Sequence, residues 1–328
     1  MTLHHRHDAR FCPLDDAGVL VFEGPDARTF LQGQLSNDVE ALAPGRGQWT
    51  SFNSAKGRML ANFWLWQVPG WPGLERYEAL IAADLAAALQ KRLSMFVLRA
   101  KVKILDRSAD CRLFGVMGSG AASVLAAAFG RAPAPGEAID AAGLPAQVLA
   151  LPDGRYVVVS AADVSGTVEE ALAIRAAAAP SPAWRVAGIE AGVPWITAAT
   201  SDQFVPQMAN LDALAGISFT KGCYPGQEVV ARMRYLGRLK ERLYLLNAAV
   251  APPAPGTRIF SPVFGDQPCG TVVNAEDVEG ATSMLAVVQS SAADASGLAL
   301  GAIEGVPLVV RALPYALPDV SAPRTRLA

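Results

Sequence analysis

Lys221-Gly222-Cys223-Tyr224-Pro225-Gly226-Gln227-Glu228 sets one thiol a residue from a glycine and two from a lysine. The stretch Gln227-Glu228-Val229-Val230-Ala231-Arg232-Met233-Arg234 reads as a helix that closes near Gly237. Pro225 suits the first turn of that helix, where its missing N–H costs nothing. Cys223 is therefore expected beside the positive end of a helix dipole, with the Lys221 cation close by. Both effects favour a thiolate. The competing reading is a small apolar residue buried in a tight turn, the commoner fate of a free cysteine.

Working outward, the chain before this loop reads as two similar α+β halves. Val19-Leu20-Val21-Phe22-Glu23-Gly24 is a short apolar strand, and Asp26 looks like the N-cap of a helix through Phe30 and Leu31. Residues 47–54 and 57–67 read as strands joined at Asn53-Ser54-Ala55-Lys56-Gly57, and Tyr77–Ala82 as another. Asp84 is the expected cap of a helix carrying Leu85, Leu89 and Leu93, and Lys101–Asp106 closes a β-α-β-β-α-β unit. The pattern recurs in shorter form. Cys111–Met117 reads as a strand, Ala121–Phe129 as a helix, 147–151 and 155–160 as a hairpin across Asp153-Gly154, and Asp163–Ala179 as a second helix. A boundary falls at Ala176-Ala177-Ala178-Ala179-Pro180-Ser181-Pro182. Beyond Leu239, strands at 241–248, 257–260, 269–275, 282–288 and 306–312 alternate with Pro/Gly-rich turns, the spacing of a small β-barrel or sandwich. The expected fold class is α+β, with two ferredoxin-like units and a C-terminal small β-barrel. The expected domains are 1–108, completed by the segment 184–237; 109–183; and 238–328.

Composition narrows the function classes. With 328 residues, 52% hydrophobic and 18% charged, the chain can bury large cores. A net charge of −2 supplies no global field for nucleic acid or an acidic membrane, so any anion site must be local. No apolar run reaches membrane-spanning length, and the start lacks a secretion signal, which makes the cytoplasm the expected compartment. Cys12, Cys111, Cys223 and Cys269 form no CxxC pair, so no metal site is expected from them. All three histidines, His4, His5 and His7, lie at the start, which disfavours a Ser-His-Asp triad or Cys-His dyad in the folded body. No G-x-G-x-x-G follows an early strand, which disfavours a Rossmann domain.

Three further features carry candidate chemistry. Lys221, Arg232, Arg234, Arg238, Lys240 and Arg242 concentrate positive charge against Glu228 and Glu241. They form either a solvated face or an anion site. An RNA-backbone reading is weakened because, from Arg232 to Arg242, Tyr235 is the only aromatic interleaved with them. Glu190 interrupts an apolar stretch, and a carboxylate there suits a flat, amide-like heterocycle or a surface ion pair. Gln203 to Asp212 reads as a loop-to-helix entry, in which Asn210 and Asp212 are candidate caps.

The octapeptide, preceded by Gly216-Ile217-Ser218-Phe219-Thr220, resembles the signature of the YgfZ family, a bacterial folate-binding branch related to the glycine-cleavage T-protein. Further matches are Phe30-Leu31-Gln32-Gly33-Gln34-Leu35-Ser36-Asn37-Asp38, Lys56-Gly57-Arg58-Met59, Leu98-Arg99-Ala100-Lys101-Val102 and Gly188-Ile189-Glu190-Ala191-Gly192-Val193-Pro194. The resemblance implies three domains around a central channel that accepts tetrahydrofolate or a one-carbon derivative. It also implies a role in making or repairing iron–sulfur enzymes, including those that modify tRNA.

Carried over by position, Cys223, Lys221 and Tyr224 belong to the functional motif. Glu190 matches the glutamate that contacts the pterin, and Asn37, Gln207, Gln227, Glu228 and Arg232 are candidate folate contacts. The implied partners are folate and iron–sulfur enzymes or their assembly factors, with no membrane expected, and with nucleic acid left open as a partner but direct contact disfavoured. One departure matters. The T-protein places catalytic carboxylates where this chain reads Lys56-Gly57-Arg58-Met59-Leu60-Ala61-Asn62-Phe63. Aminomethyl or one-carbon transfer is therefore the alternative reading, and a tRNA-binding module using the basic segment is another.

Overall fold

In the computed structural model, the described residues are 9–69, 75–235 and 239–318. The expectations for His4, His5, His7, Gly237 and Arg238 lie outside them. The strands form three sheets. Two compact units divide the chain: Met1–Gln32, Asp38–Gln48 and Phe63–Trp184 make one, and Gly33–Asn37, Trp49–Asn62 and Arg185–Ala328 the other.

The first stretch of the chain supplies β1 (Arg10–Pro13), β2 (Ala17–Gly24), α1 (Ala27–Gln32), β3 (Gly47–Asn53), β4 (Met59–Gln67), β5 (Glu75–Ala82), α2 (Ala83–Ser94) and β6 (Lys103–Asp106). One sheet has the order β3-β4-β5-β2-β6, with Val19 opposite Leu80 and Phe22 opposite Ile104. Phe63, Trp64, Leu65 and Trp66 are buried in succession, so this part of β4 is covered on both faces. Helix α2 buries Leu85, Leu89 and Leu93, a four-residue spacing that makes one apolar stripe.

Of the two expected caps in this region, Asp26 does precede α1, its carbonyl accepting the Phe30 N–H at 2.9 Å, whereas Asp84 falls inside α2. Ala82 holds the N-cap position of α2 without a side-chain bond, and Asp84 lies in the first turn, where its charge complements the dipole. The Asp26 carboxylate accepts the Lys101 N–H at 2.7 Å and so ties together segments 75 residues apart.

The second sheet combines β1 with β7 (Cys111–Met117), β8 (Ala138–Asp140), β9 (Ala146–Ala150), β10 (Tyr156–Ala161) and β11 (Ala177–Ala178), in the order β11-β1-β7-β10-β9-β8. Helices α3 (Ala121–Phe129) and α4 (Ser165–Ala173) contribute Leu125, Phe129, Val168 and Leu172 to its core, alongside Phe114, Val148 and Val158. Burying each such side chain contributes about 1.5–3 kcal/mol. The helix expected over Asp163–Ala179 stops at Ala173, after a short 3-10 turn at Ala162–Val164. Ala177 and Ala178 instead pair in parallel with Arg10 and Phe11. Distant strand pairing there overrides the helical preference of alanine.

In the second unit, Pro182–Glu190 forms α5, whose last six residues belong here, and Gln227–Tyr235 forms α6. Between Gly192 and Gln227 the chain turns repeatedly without helix or strand. The helix expected after residues 203–212 is absent. An irregular run of this length inside a compact body commonly marks function.

The remaining chain forms β12 (Glu241–Ala248), β13 (Arg258–Phe260), β14 (Gly270–Val278), β15 (Ala281–Gln289), α7 (Ser290–Ala295), β16 (Ala299–Leu300), β17 (Val306–Pro307) and β18 (Val309–Arg311). Their sheet order is β17-β16-β13-β14-β15-β12-β18. The two edge strands, β17 and β18, are separated in sequence by Leu308 alone, so the sheet must curl until its edges nearly meet. A register shift between Val272 and Asn274 adds local twist. Leu246, Ile259, Val272, Met284 and Val288 fill this nearly closed barrel. Among the described residues, no helix is long and apolar enough to cross a membrane.

Candidate functional site

The octapeptide splits into an inward scaffold and an outward thiol. Lys221 is buried, and a buried ammonium needs acceptors. Its Nζ donates to the Leu35 carbonyl at 2.6 Å and the Asn37 carbonyl at 3.1 Å, and it lies 5.1 Å from the centre of the Tyr224 ring. The cation expected to favour a Cys223 thiolate is thus engaged inward, on backbone far away in sequence. Tyr224 is buried too, and burial pushes its phenol well above the ordinary value, so it stays protonated at neutral pH. Gln227 returns a hydrogen bond from Nε2 to the Lys221 carbonyl at 3.4 Å. Cys223 itself is exposed. Of the other cysteines, Cys12 and Cys269 are buried and Cys111 is half-buried, with burial pushing its thiol up. Among the described residues, no group of three His, Cys, Asp or Glu side chains is placed to hold a metal ion.

Gly226 holds the loop against the Ser54–Gly57 turn. Its φ is +75°, and a Cβ there would lie 2.5 Å from both Gly57 Cα and the Ser54 carbonyl oxygen. Gly222, by contrast, faces open space. Gly226→Ala is therefore expected to destabilise the chain by about 2–4 kcal/mol, from left-handed backbone strain plus a backbone clash. Gly222→Ala should stay within about 0.5 kcal/mol. Urea unfolding of the two variants side by side checks this, and equal midpoints would refute the packing argument.

Beside the motif lies a buried polar network. Asn37 directs both Nδ2 hydrogens to the Trp49 and Ala215 carbonyls, each at 2.8 Å, so its amide donors are committed to the fold. Ser51 Oγ donates to Asn53 Oδ1 at 2.9 Å, while Asn53 Nδ2 is buried without a partner. Gln207 Nε2 donates to the Val230 carbonyl at 2.6 Å, and its Oε1 is likewise buried and unpartnered. Such orphaned polar atoms are rare in native interiors.

The segment carrying Gln207 is clamped by β12. Arg242 pairs with Asp212 through two bonds, of 2.7 and 3.1 Å, and donates to the Gln207 carbonyl at 2.9 Å. Asn210, at φ +56°, exchanges bonds with the backbone of Leu243. Asn210 and Asp212 therefore anchor a strand rather than cap a helix.

Glu190 ends α5. Its Oε1 accepts from Ser283 Oγ at 2.6 Å and from Arg311 Nη1 at 2.9 Å. Glu228 and Arg232 are exposed on α6, and Arg234 stacks 3.8 Å from the centre of the Phe219 ring. Of the expected basic cluster, Lys221 and Arg242 are thus internal. Asn62, the only amide side chain of the Lys56–Phe63 stretch, is locked by bonds to the Pro194 carbonyl and the Ile196 N–H. A carboxylate the sequence did not point to reaches this turn from elsewhere: Asp202 accepts from Ser54 Oγ at 2.7 Å. Asn53, Asp202, Ser283 and Arg311 have no local signal, because each acquires its meaning from partners distant in sequence.

This arrangement of sheets and barrel has the fold of the glycine-cleavage aminomethyltransferases. The chain superimposes on the crystal structure of glycine cleavage system aminomethyltransferase T from Bartonella henselae with a TM-score of 0.73, covering 95% of this chain and 87% of that one at 16% identity. It is 34% identical over 313 residues to tRNA-modifying protein YgfZ of Yersinia pestis (strain Pestoides F), covering 93% of this chain and 92% of the relative. Its identity to the YgfZ protein of Klebsiella pneumoniae (strain 342) is 32% over 311 residues, 93% of each chain. No protein-family model matches. The chain belongs to the YgfZ family of tRNA-modifying proteins.

Proposed function

We propose that this protein is a tetrahydrofolate-binding accessory factor for iron–sulfur enzymes, including tRNA-modifying ones, that acts through Cys223. The observation that carries this reading is the division of the motif: Lys221, Tyr224 and Gly226 build an inward support, while the thiol is left accessible. A thiolate is the reactive form of cysteine, and access to it is the first requirement for chemistry. The names of the relatives support the tRNA connection, and the T-protein fold supports the folate connection.

The residues present fit a pterin. Such a ring carries amide-like acceptors beside N–H and amino donors. Gln207 Oε1 offers a buried acceptor and Asn53 Nδ2 a buried donor, both without partners in the protein. Glu190 offers a carboxylate oriented by Ser283 and Arg311 and suited to paired N–H donors. Arg232, exposed in the last turn of α6, suits the glutamate tail, and Gln227 and Glu228 lie in the first turn of the same helix. Asn37 and Lys221 serve as positioning residues that hold the loop. Bound tetrahydrofolate would supply a carrier for one-carbon units. Aminomethyl transfer by the T-protein route is disfavoured, because Met59 to Phe63 contributes no carboxylate and Asn62 is engaged with backbone.

Calorimetry with tetrahydrofolate tests the reading. The wild-type chain is expected to bind, and Gln207→Leu, which removes the orphaned acceptor, to weaken binding by roughly tenfold, the scale of one unmade buried hydrogen bond. Glu190→Ala should weaken it further. The absence of heat from the wild-type protein would remove the cofactor from the proposal.

A further inference from the structure

Residues 91–105 contain Lys91, Arg92, Arg99, Lys101 and Lys103 and no Asp or Glu, in a chain of net charge −2. All five cations are exposed, and among the described residues none makes an ion pair. The segment is also tied to its surroundings by hydrogen bonds. Phe96 N–H donates to the Leu93 carbonyl, Val97 to Ser94 and Ala100 to Val97. Gln90 Nε2 reaches the Ile104 carbonyl at 3.0 Å, and Asp26 holds the Lys101 N–H. Gly24 permits this approach: a Cβ there would lie 2.1 Å from the Lys101 oxygen.

Fixing each backbone residue costs about 1–2 kcal/mol, normally offset by burial. Here the ordered turn instead presents Met95, Phe96 and Leu98 to solvent, with Leu98 90% exposed at φ +39°. Lys101, two residues before β6, and Lys103, its first residue, alternate with buried Val102 and Ile104, so both emerge on one side, about 6.6 Å apart if the chain there is extended. They border an open depression of about 370 Å³ that Arg76 and Glu23 also line. Arg76 is paired with Glu78 and lies 3.8 Å from Glu23, so Lys101 and Lys103 are the lining cations that make no ion pair among the described residues.

We propose that residues 91–103 dock RNA, the cations taking backbone phosphates of an unpaired stretch and Phe96 stacking on an exposed base. The inference rests on the tRNA-related reading above and locates its contact on a surface other than the Cys223 loop. Unpaired cations at strand spacing beside an exposed aromatic are the elements of single-stranded recognition. An anionic bilayer or an acidic protein would use the same charges, but neither has a particular use for an aromatic stacking face.

Anisotropy of labelled, unfractionated tRNA with the full chain provides the test, between about 50 and 200 mM salt. If all five cations meet phosphates, log K should fall against log salt with a slope of about −3.5. Lys101→Gln with Lys103→Gln should make the slope shallower by about 1.4. Phe96→Ala should weaken binding roughly tenfold with the slope unchanged. Lys56→Gln with Lys240→Gln, two exposed lysines outside this segment, should bind tRNA as wild type does. The proposal is overturned if the wild type does not bind tRNA at low salt, if the control pair weakens binding as much as the lysine pair, or if these substitutions abolish binding to phosphatidylglycerol vesicles while tRNA binding is unchanged. Retained tetrahydrofolate heat in the Lys101/Lys103 and Phe96 variants separates the two readings. A wild type without folate heat but with the expected tRNA behaviour would refute the folate site and support this surface.

Discussion

Cys223→Ala is expected to leave the chain folded and to abolish its function in cells. The side chain is exposed and next to a glycine with open space around it, so truncation removes little packing. Stability should change by no more than about 0.5 kcal/mol. Function should nevertheless be lost, because the scaffold of Lys221, Tyr224 and Gly226 would then present a methyl group. The measurement is rescue of iron–sulfur enzyme activity in a strain lacking the gene, with the wild type and Cys223→Ser in parallel. Cys223→Ser keeps the size and polarity but loses the soft nucleophile, so it should fail as well. Full rescue by either variant would show that the thiol is not the reactive group.

The largest effect on stability is expected at Asp212. Its pair with Arg242 is almost fully buried, with side-chain exposures of 8% and 6%. Removing one member leaves the other charged and unpaired, which costs about 3–5 kcal/mol. Asp212→Ala should show this loss in urea unfolding. Asp212→Leu with Arg242→Met should recover most of it, since apolar replacement of both members of a buried pair is often near neutral. The single variant should also lose tetrahydrofolate binding, because Arg242 holds the carbonyl of Gln207 in place. A single variant as stable as wild type would mean that the clamp contributes little.

These two sites differ in how far they could be read in advance. The loop of Cys223 is short, and its helix, α6, follows from the apolar spacing of the next nine residues, so both were visible locally. Lys221 shows the limit. Next to Cys223 in sequence it reads as an activating cation, but its acceptors are the carbonyls of Leu35 and Asn37, over 180 residues away. Glu190 was visible as a polar residue in an apolar run, but Ser283 and Arg311, which orient it, lie 93 and 121 residues further on. The alanine run ending at Ala179 misled for the same reason: β1, at the other end of the unit, offered Ala177 and Ala178 a strand partner.

What the chain determines by itself is most of the order of its strands and helices, the place of Cys223 in a loop just before a helix and the acid-free basic stretch at 91–105. These depend on periodicity, turn residues and charge, all of which act over a few neighbours. Only the tertiary structure decided which polar groups found partners. It turned Lys221 inward, set Asp202 beside Ser54, and left Gln207 Oε1 and Asn53 Nδ2 unpaired. Hydrogen bonds and ion pairs act over a few ångströms in space, and sequence separation says nothing about which groups the fold brings within that range.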